Sequence, residues 1–276
     1  MTTYCYLNGD IIPVSEAKVS VCDIGLLRGF GIYEALATKN GKPFRLADHT
    51  ARFRMSAREM QLTIPVTDEV FGQILEDLHA KNGFKESIFR IILTGGTAQA
   101  GIEYDRGTPT FYILCEEFKP IEASNFTDGC SLITAEFERQ FPRYKTVNYI
   151  EAVLLQGQRK EKQALEILYV HDGGVYECAT SNFFIVKDGI VITPNIGILE
   201  GITRKVALEV ARAAGTVEER PVSVDEMLQA DEAFLTSSFK DIVPVVQIDD
   251  TKIGTGAVGE VTKKLMHGFE AYANAQ

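Results

Sequence analysis

The sequence predicts an α+β protein built as two domains, on three observations. The chain has 276 residues with 45% hydrophobic content, enough for two modest cores. Residues 1–118 mix the alternating spacing of strands with the three-and-four spacing of helices, as an α+β unit requires. Residues 119–127, with Pro120, Ser124 and Asn125, have the polar composition of a linker, and strand and helix patterns resume over 128–276.

In chain order, residues 4–7 and 10–14 flank Asn8-Gly9, a strong hairpin pattern. A strand is expected over 29–38, turning at Asn40-Gly41. Helices are expected at 49–60 and 68–82, the second with Val70, Ile74, Leu75 and Leu78 at helical spacing. Strands at 87–93 and 110–115 enclose a glycine-rich stretch, 95–107. The second half predicts strands at 130–137, 166–170, 182–186 and 190–193, the last two joined by an Asp188-Gly189 turn. Helices are expected at 149–163 and 203–214, with Gly215 where a left-handed cap residue belongs. A short helix at 224–229, strands at 232–236 and 243–248, and an amphipathic helix at 258–272 close the chain.

A net charge of -10 and a pI near 5.0 argue against a nucleic-acid partner, because phosphate backbones are bound by clustered Lys and Arg. Five cysteines, widely spaced and without a C-x-x-C, fit reduced thiols in a cytoplasmic protein. The start Met1-Thr2-Thr3-Tyr4-Cys5 has neither a basic region nor an apolar stretch, so no signal peptide is expected. No run approaches the ~18 apolar residues of a membrane span. His49, His79, His171 and His267 lack metal spacing, and no metal is expected.

The chemistry concentrates between Lys145 and Arg204. An aldehyde cofactor needs an amine to form a Schiff base and a charge partner for its pyridine nitrogen, and Lys145 and Glu177 can supply these. A phosphate needs backbone N–H groups aimed at it. Gly201-Ile202-Thr203, opening an apolar-periodic helix, offers them.

Four motifs in one order carry a family resemblance: Lys145-Thr146-Val147-Asn148-Tyr149, Glu177-x-x-x-Ser181-Asn182-x-Phe184, Gly201-Ile202-Thr203-Arg204 and Thr236-Ser237-Ser238. Upstream stand Arg28-Gly29-Phe30-Gly31-Ile32-Tyr33-Glu34 and His49-x-x-Arg52-Phe53. The chain resembles the class IV aminotransferases nearly end to end. These are fold-type IV pyridoxal 5'-phosphate enzymes, which include D-amino acid and branched-chain aminotransferases, (R)-amine transaminases and aminodeoxychorismate lyase. The resemblance implies a smaller N-terminal domain, a larger C-terminal domain and a site between them.

It also implies roles. Lys145 is expected to bond the cofactor and, once displaced by substrate, to act as general base. Glu177 would face the pyridine nitrogen, Ser181 and Asn182 would line the cofactor, and Tyr149 would meet its phenolic oxygen. Arg52, the amides of Ile202 and Thr203, Ser237 and Ser238 are the phosphate candidates; Arg204 would brace their loop. Arg28 and Tyr33 are the substrate-side candidates, with Glu34 alternating away from Tyr33 by the period of two.

The D-amino acid branch carries an arginine and a histidine two apart after its Thr-x-Gly-Thr stretch, where this chain has Ala100 and Ile102. The glycine and basic residue of the branched-chain strand are also missing from Ile32-Tyr33-Glu34-Ala35-Leu36-Ala37-Thr38. Transamination between a D-amino acid and a 2-oxo acid such as 2-oxoglutarate is expected, with Arg28 as the carboxylate clamp. Branched-chain L-amino acid transamination is the alternative, and (R)-amine transamination, lyase activity and a non-catalytic relative stand further off. A homodimer is implied, with Arg28 and residues 101–107 reaching across.

Overall fold

The computed structural model describes residues 2–276, which divide into two compact units. The first comprises the chain up to Lys119 together with Tyr144–Asn148; the second comprises Pro120–Arg143 and Tyr149–Gln276.

The first unit opens with the expected hairpin, β1 (Tyr4–Leu7) and β2 (Asp10–Pro13). Asn8 and Gly9 take φ of 47° and 120° at its turn, the left-handed backbone that makes Asn-Gly a hairpin pair. A short helix α1 (Ile24–Arg28) precedes β3 (Gly31–Lys39) and was not foreseen in the sequence. Buried Asp23 caps it: Oδ1 accepts from Gly25 N at 2.7 Å, while Oδ2 accepts from Thr94 Oγ1 at 2.9 Å and Thr110 Oγ1 at 2.5 Å. Two of those partners lie more than seventy residues away, beyond any local pattern. Gly29 ends the helix at φ 65°, a conformation that costs other residues a steric penalty.

After β4 (Lys42–Pro43) come helices α2 (Leu46–Glu59) and α3 (Asp68–Asn82), then β5 (Ser87–Thr94) and β6 (Thr110–Glu117). The sheet runs β2-β1-β6-β5-β3-β4. Its apolar face is set by alternation: Ile32 and Leu36 on β3, Phe89, Ile91 and Leu93 on β5, Phe111 and Ile113 on β6. Phe53 of α2 and Phe71, Leu75 and Leu78 of α3 complete one core.

The remaining piece of this unit corrects the expected boundary, which put 128–276 in one domain. Tyr33 N donates to Lys145 O at 2.8 Å and Val147 N to Gly31 O at 3.1 Å, and Ile32 bridges Thr146. Residues 144–148 thus satisfy backbone groups of β3 beyond the short β4 pairing, which only non-local contact can reveal. The expected linker 119–127 is also largely structured. Ser124–Thr127 forms α4, and Ile121 and Phe126 pack against the second core.

The second unit contains β7 (Cys130–Glu136), α5 (Ile150–Leu154), α6 (Gln156–Glu161), β8 (Glu166–His171), β9 (Gly174–Cys178), β10 (Asn182–Lys187) and β11 (Ile190–Thr193). Then follow α7 (Ile202–Ala214), β12 (Val217–Glu219), β13 (Val222–Ser223), α8 (Val224–Leu228), β14 (Glu232–Ser237), β15 (Asp241–Ile248), β16 (Thr251–Lys252) and α9 (Glu260–Asn274). The sheet order is β12-β11-β10-β14-β15-β7-β8-β9-β13, with β16 on β15. Pairs β7–β8, β7–β15 and β11–β12 are parallel.

One face of this sheet buries Phe183, Ile185, Leu235 and Val243. On the alternate positions Phe184 and Phe234 stack with ring centroids 4.6 Å apart. The helix expected over 149–163 is two short ones meeting at Leu155, where ψ relaxes to -1°. Gly157 in the second weakens it by about 1 kcal/mol relative to alanine. Gly215 follows α7 at φ 175° rather than in the expected left-handed cap. No helix among the described residues is long and apolar enough to cross a membrane.

Candidate active site

In the first unit, Lys145 lies along the edge of β3, and its Nζ stands 4.4 Å from the centroid of the Tyr33 ring. Tyr33 is half-buried, on the face of β3 opposite Ile32, Glu34 and Leu36. Glu34 therefore points under α2 and is fully buried. A carboxylate there requires partners, and α2 brings two. Arg52 donates from Nε to Glu34 Oε2 at 2.9 Å and from Nη2 to Oε1 at 2.6 Å, a forked charge-assisted pair. His49 Nδ1 lies 3.1 Å from Oε1 and donates to it, the carboxylate being only an acceptor. His49 and Arg52 are three apart on one helix face, so α2 presents both to the same residue. A glutamate inside the apolar run Ile32 to Ala37 was the sequence sign of such a partner set.

Burial opposes the charged form of Glu34, but Arg52 and His49 outweigh it and hold its carboxyl far below the usual range. Burial, helped by the charges of Arg52 and Lys145, also pushes His49 down against the raising effect of Glu34. Both groups have folded pKa values below their unfolded ones of roughly 4.3 and 6.5. The unfolded chain takes up protons first, and stability is lost as pH falls. The denaturation midpoint is expected to hold above about pH 6.5, decline below it, and fall more steeply below about pH 4.3. An unchanged midpoint between pH 7 and pH 4 would contradict this, and His49→Gln should remove the upper step.

Arg28 is exposed at the end of α1, where Nη1 donates to Leu27 O at 2.8 Å. Ile102, in the loop where the D-amino acid branch carries its clamp, is 75% exposed.

In the second unit, Glu177 on β9 is buried and held on both oxygens. Oε1 accepts from Arg139 Nη1 at 2.6 Å; Oε2 accepts from Asn182 Nδ2 and from Leu199 N, each at 3.0 Å. Asn182 also donates to Leu199 O at 2.8 Å, so it fixes the Glu177 carboxylate against the loop before α7. Arg139, in a charged stretch after β7, carried no distinguishing pattern in the sequence. Ser181 is drawn elsewhere: its Oγ donates to Glu166 Oε1 at 2.8 Å and accepts from Lys240 Nζ at 3.2 Å.

Ile202 and Thr203 are buried in the first turn of α7, whose N-cap Gly201 provides no side-chain cap. Their amides are among the first four N–H groups, which have no partner within a helix. Arg204 braces the segment, donating from Nη2 to Pro194 O at 3.1 Å and to Glu219 Oε2 at 2.9 Å. Thr236 faces Asn182 across the β10–β14 ladder. Thr236 Oγ1 and Ser237 Oγ are buried with no hydrogen-bond partner, and Ser238 follows in the turn. Tyr149 is the N-cap of α5 and packs, half-buried, on the cluster of Ile133, Ala152 and Tyr169.

Gly201 is needed for its size. A Cβ there would stand 2.0 Å from Asn182 Oδ1, and Asn182 cannot yield without releasing Glu177. Gly201→Ala is expected to cost about 1–3 kcal/mol and to weaken cofactor binding with it, measured by thermal unfolding and by titration with the cofactor. Unaltered values in both would show that Asn182 yields freely.

Among the described residues Glu136, His171 and Asp172 bring ligand-type atoms within 4.8 Å of one another. The histidine spacing had not shown this grouping, which joins the end of β7 to the β8–β9 turn. The two carboxylates are exposed.

Residues 31–248 match the model of the amino-transferase class IV family, and the chain belongs to that family. It is a pyridoxal phosphate-dependent aminotransferase of fold type IV. It is 35% identical to a putative branched-chain-amino-acid aminotransferase of Methanocaldococcus jannaschii, over 96% of this chain and 94% of the relative. It is 32% identical to D-alanine aminotransferase of Bacillus licheniformis, over 95% of this chain and 94% of that one. The T.th. branched-chain amino acid aminotransferase, solved with pyridoxamine 5'-phosphate, superposes with a TM-score of 0.92 at 26% identity, covering 100% of this chain and 95% of that one.

The residues fit the cofactor of this class. The uncapped amides at Ile202 and Thr203 and the unpartnered hydroxyls of Thr236 and Ser237 suit an anionic acceptor. Glu177 is a buried carboxylate fixed by three donors.

Proposed function

We propose that this aminotransferase moves an amino group between a D-amino acid and a 2-oxo acid such as 2-oxoglutarate, by a ping-pong mechanism. The observation that carries the choice is the set of relatives named D-alanine aminotransferase, from 29% to 32% identical over nearly the whole chain. The L-branched-chain reading has the Methanocaldococcus jannaschii relative and the T.th. structure in its favour.

Pyridoxal phosphate supplies the electron sink that makes a substrate Cα–H acidic. Lys145 would supply the amine that holds the cofactor, and its Nζ would carry the substrate Cα proton. Tyr33, against which the ammonium rests, keeps Nζ on the substrate side. Glu177, its carboxylate fixed by Asn182 and Arg139, would be the charge partner for the pyridine nitrogen. Ile202, Thr203, Ser237 and Ser238, with Arg52, would be the groups to hold the phosphate, and Tyr149 the hydroxyl for the phenolic oxygen. Ser181 supports the turn before Asn182. Arg28 receives the substrate carboxylate, exchanging a bond to its neighbour's carbonyl for an ion pair.

A panel of D-alanine, D-glutamate and L-leucine with 2-oxoglutarate tests this reading. Turnover of the D-amino acids is expected to exceed that of L-leucine at least about tenfold, equivalent to 1.4 kcal/mol in the barrier. The reverse order would replace it with the branched-chain reading.

The working unit is a homodimer in the cytoplasm. Ile150, Val153 and Leu154 form one helical stripe on α5 and are 68%, 67% and 71% exposed. Such a stripe is costly in water and supports this reading. Light scattering should give twice the chain mass, and a fully active monomer would exclude the assembly.

A further inference from the structure

Four polar side chains from three segments of the second unit meet in a network that the transfer chemistry leaves unused. Glu166 opens β8 and is buried; Lys240 lies in the β14–β15 turn, two residues after Ser238. Lys240 Nζ donates to Glu166 Oε1 at 2.7 Å, to Thr180 Oγ1 at 2.9 Å and to Ser181 Oγ at 3.2 Å. Thr180 Oγ1 and Ser181 Oγ each donate in turn to Glu166 Oε1. An ammonium has three N–H donors, and all three are placed.

The consequence is mechanical. The ladder pairs Asn182 with Thr236 and ends there. Beyond it, Ser237 ends β14, paired with Asp241 of β15, and Ser238 opens the turn, whose far side Lys240 ties back to the β9–β10 turn. Removing the tie leaves the β10–β14 and β14–β15 ladders whole and takes from the turn at 238–240 its side-chain link to the β9–β10 turn.

We propose that Lys240, through Glu166, Thr180 and Ser181, is a positioning residue that fixes Ser238, in the turn that follows Ser237 at the end of β14, for the cofactor phosphate. The proposal rests on the cofactor roles given above, and it assigns Ser181 to the tie rather than to the cofactor itself. Burial of Glu166 opposes its charge, and Lys240 together with the Thr180 and Ser181 hydroxyls outweighs it, holding the carboxyl below its usual range. Lys240→Met alone would leave that charge buried and unpaired, a strongly destabilising change. Replacing both partners by apolar residues of similar size avoids the penalty.

The test therefore uses Glu166→Leu/Lys240→Met in the full chain, with dissociation constants measured for pyridoxal phosphate and for pyridoxal, which lacks the phosphate. The double variant is expected to bind pyridoxal phosphate about tenfold more weakly, the scale of one lost charge-assisted contact. Its affinity for pyridoxal should stay within about twofold of the parent's, and the ³¹P resonance of the bound phosphate should broaden or shift. Thr180→Val, which keeps the ion pair and removes the hydroxyl that accepts from Lys240 and donates to Glu166, should give a smaller loss in the same direction and serves if the double variant does not fold. Equal losses for both ligands, or unchanged affinity for pyridoxal phosphate in a folded variant, would overturn the proposal. A parent protein that binds neither ligand would instead remove the cofactor roles on which it rests.

Discussion

Replacing Lys145 by alanine is expected to lower the transamination rate by at least about 10²- to 10⁴-fold, the usual contribution of a positioned acid–base group. On the proposed role of Lys145 two functions would be lost together, the covalent bond to the cofactor and the carrier of the Cα proton, so the upper end is the better expectation. The fold should survive, because residues 144–148 are tied to β3 through backbone groups, Tyr33 N to Lys145 O and Val147 N to Gly31 O. Alanine preserves both. Borohydride reduction and peptide mapping should place a pyridoxyl label on Lys145 in the parent protein and none in the variant. Added methylamine should restore part of the rate if the amine is what matters. Label on another lysine, or a variant within tenfold of the parent, would displace Lys145 from the role.

Glu34→Ala is expected to cost about 3–5 kcal/mol in stability, because it leaves the Arg52 guanidinium buried without its forked partner. For a chain of this size that is a fall of about 6–20 °C in melting temperature. The double change Glu34→Leu/Arg52→Met should recover most of it, since the penalty comes from an uncompensated charge rather than from losing a pair. Calorimetry of the single and double variants separates the cases. Equal melting temperatures for Glu34→Ala and the parent would mean that Arg52 gains water or another partner. Glu34→Ala should also weaken phosphate binding by leaving Arg52 unoriented, whereas a surface ion pair such as Arg58–Glu59 should contribute little either way.

How much of this was legible in the sequence depended on the range of the interaction. Asn8-Gly9 announced its hairpin because the turn's backbone demands are met within two residues. The α3 helix followed from its apolar spacing, and Leu75 and Leu78 are fully buried, although Val70 in the same series is 47% exposed. Helix α1 was illegible because the carboxylate that caps it draws on hydroxyls from β5 and β6. The alternation argument set Glu34 opposite Tyr33, yet could not say that α2 covers that face or that His49 and Arg52 come down on one carboxylate. Arg139, Glu166 and Lys240 left no trace, since nothing in a solvated-looking charge reveals a buried partner tens of residues away.

The sequence by itself determined the family, the cofactor class and the order of the functional motifs. These follow from short segments whose chemistry is local: a lysine, a glutamate, a glycine-led helix opening and a run of hydroxyls. Only the tertiary structure decided which unit Lys145 belongs to, what aims Glu177, and that Ser181 is held by Lys240 and Glu166. Those outcomes rest on buried charges and backbone groups finding partners far along the chain. The cost of leaving such groups unpaired fixes them in the fold, and nothing in the residues' spacing records it.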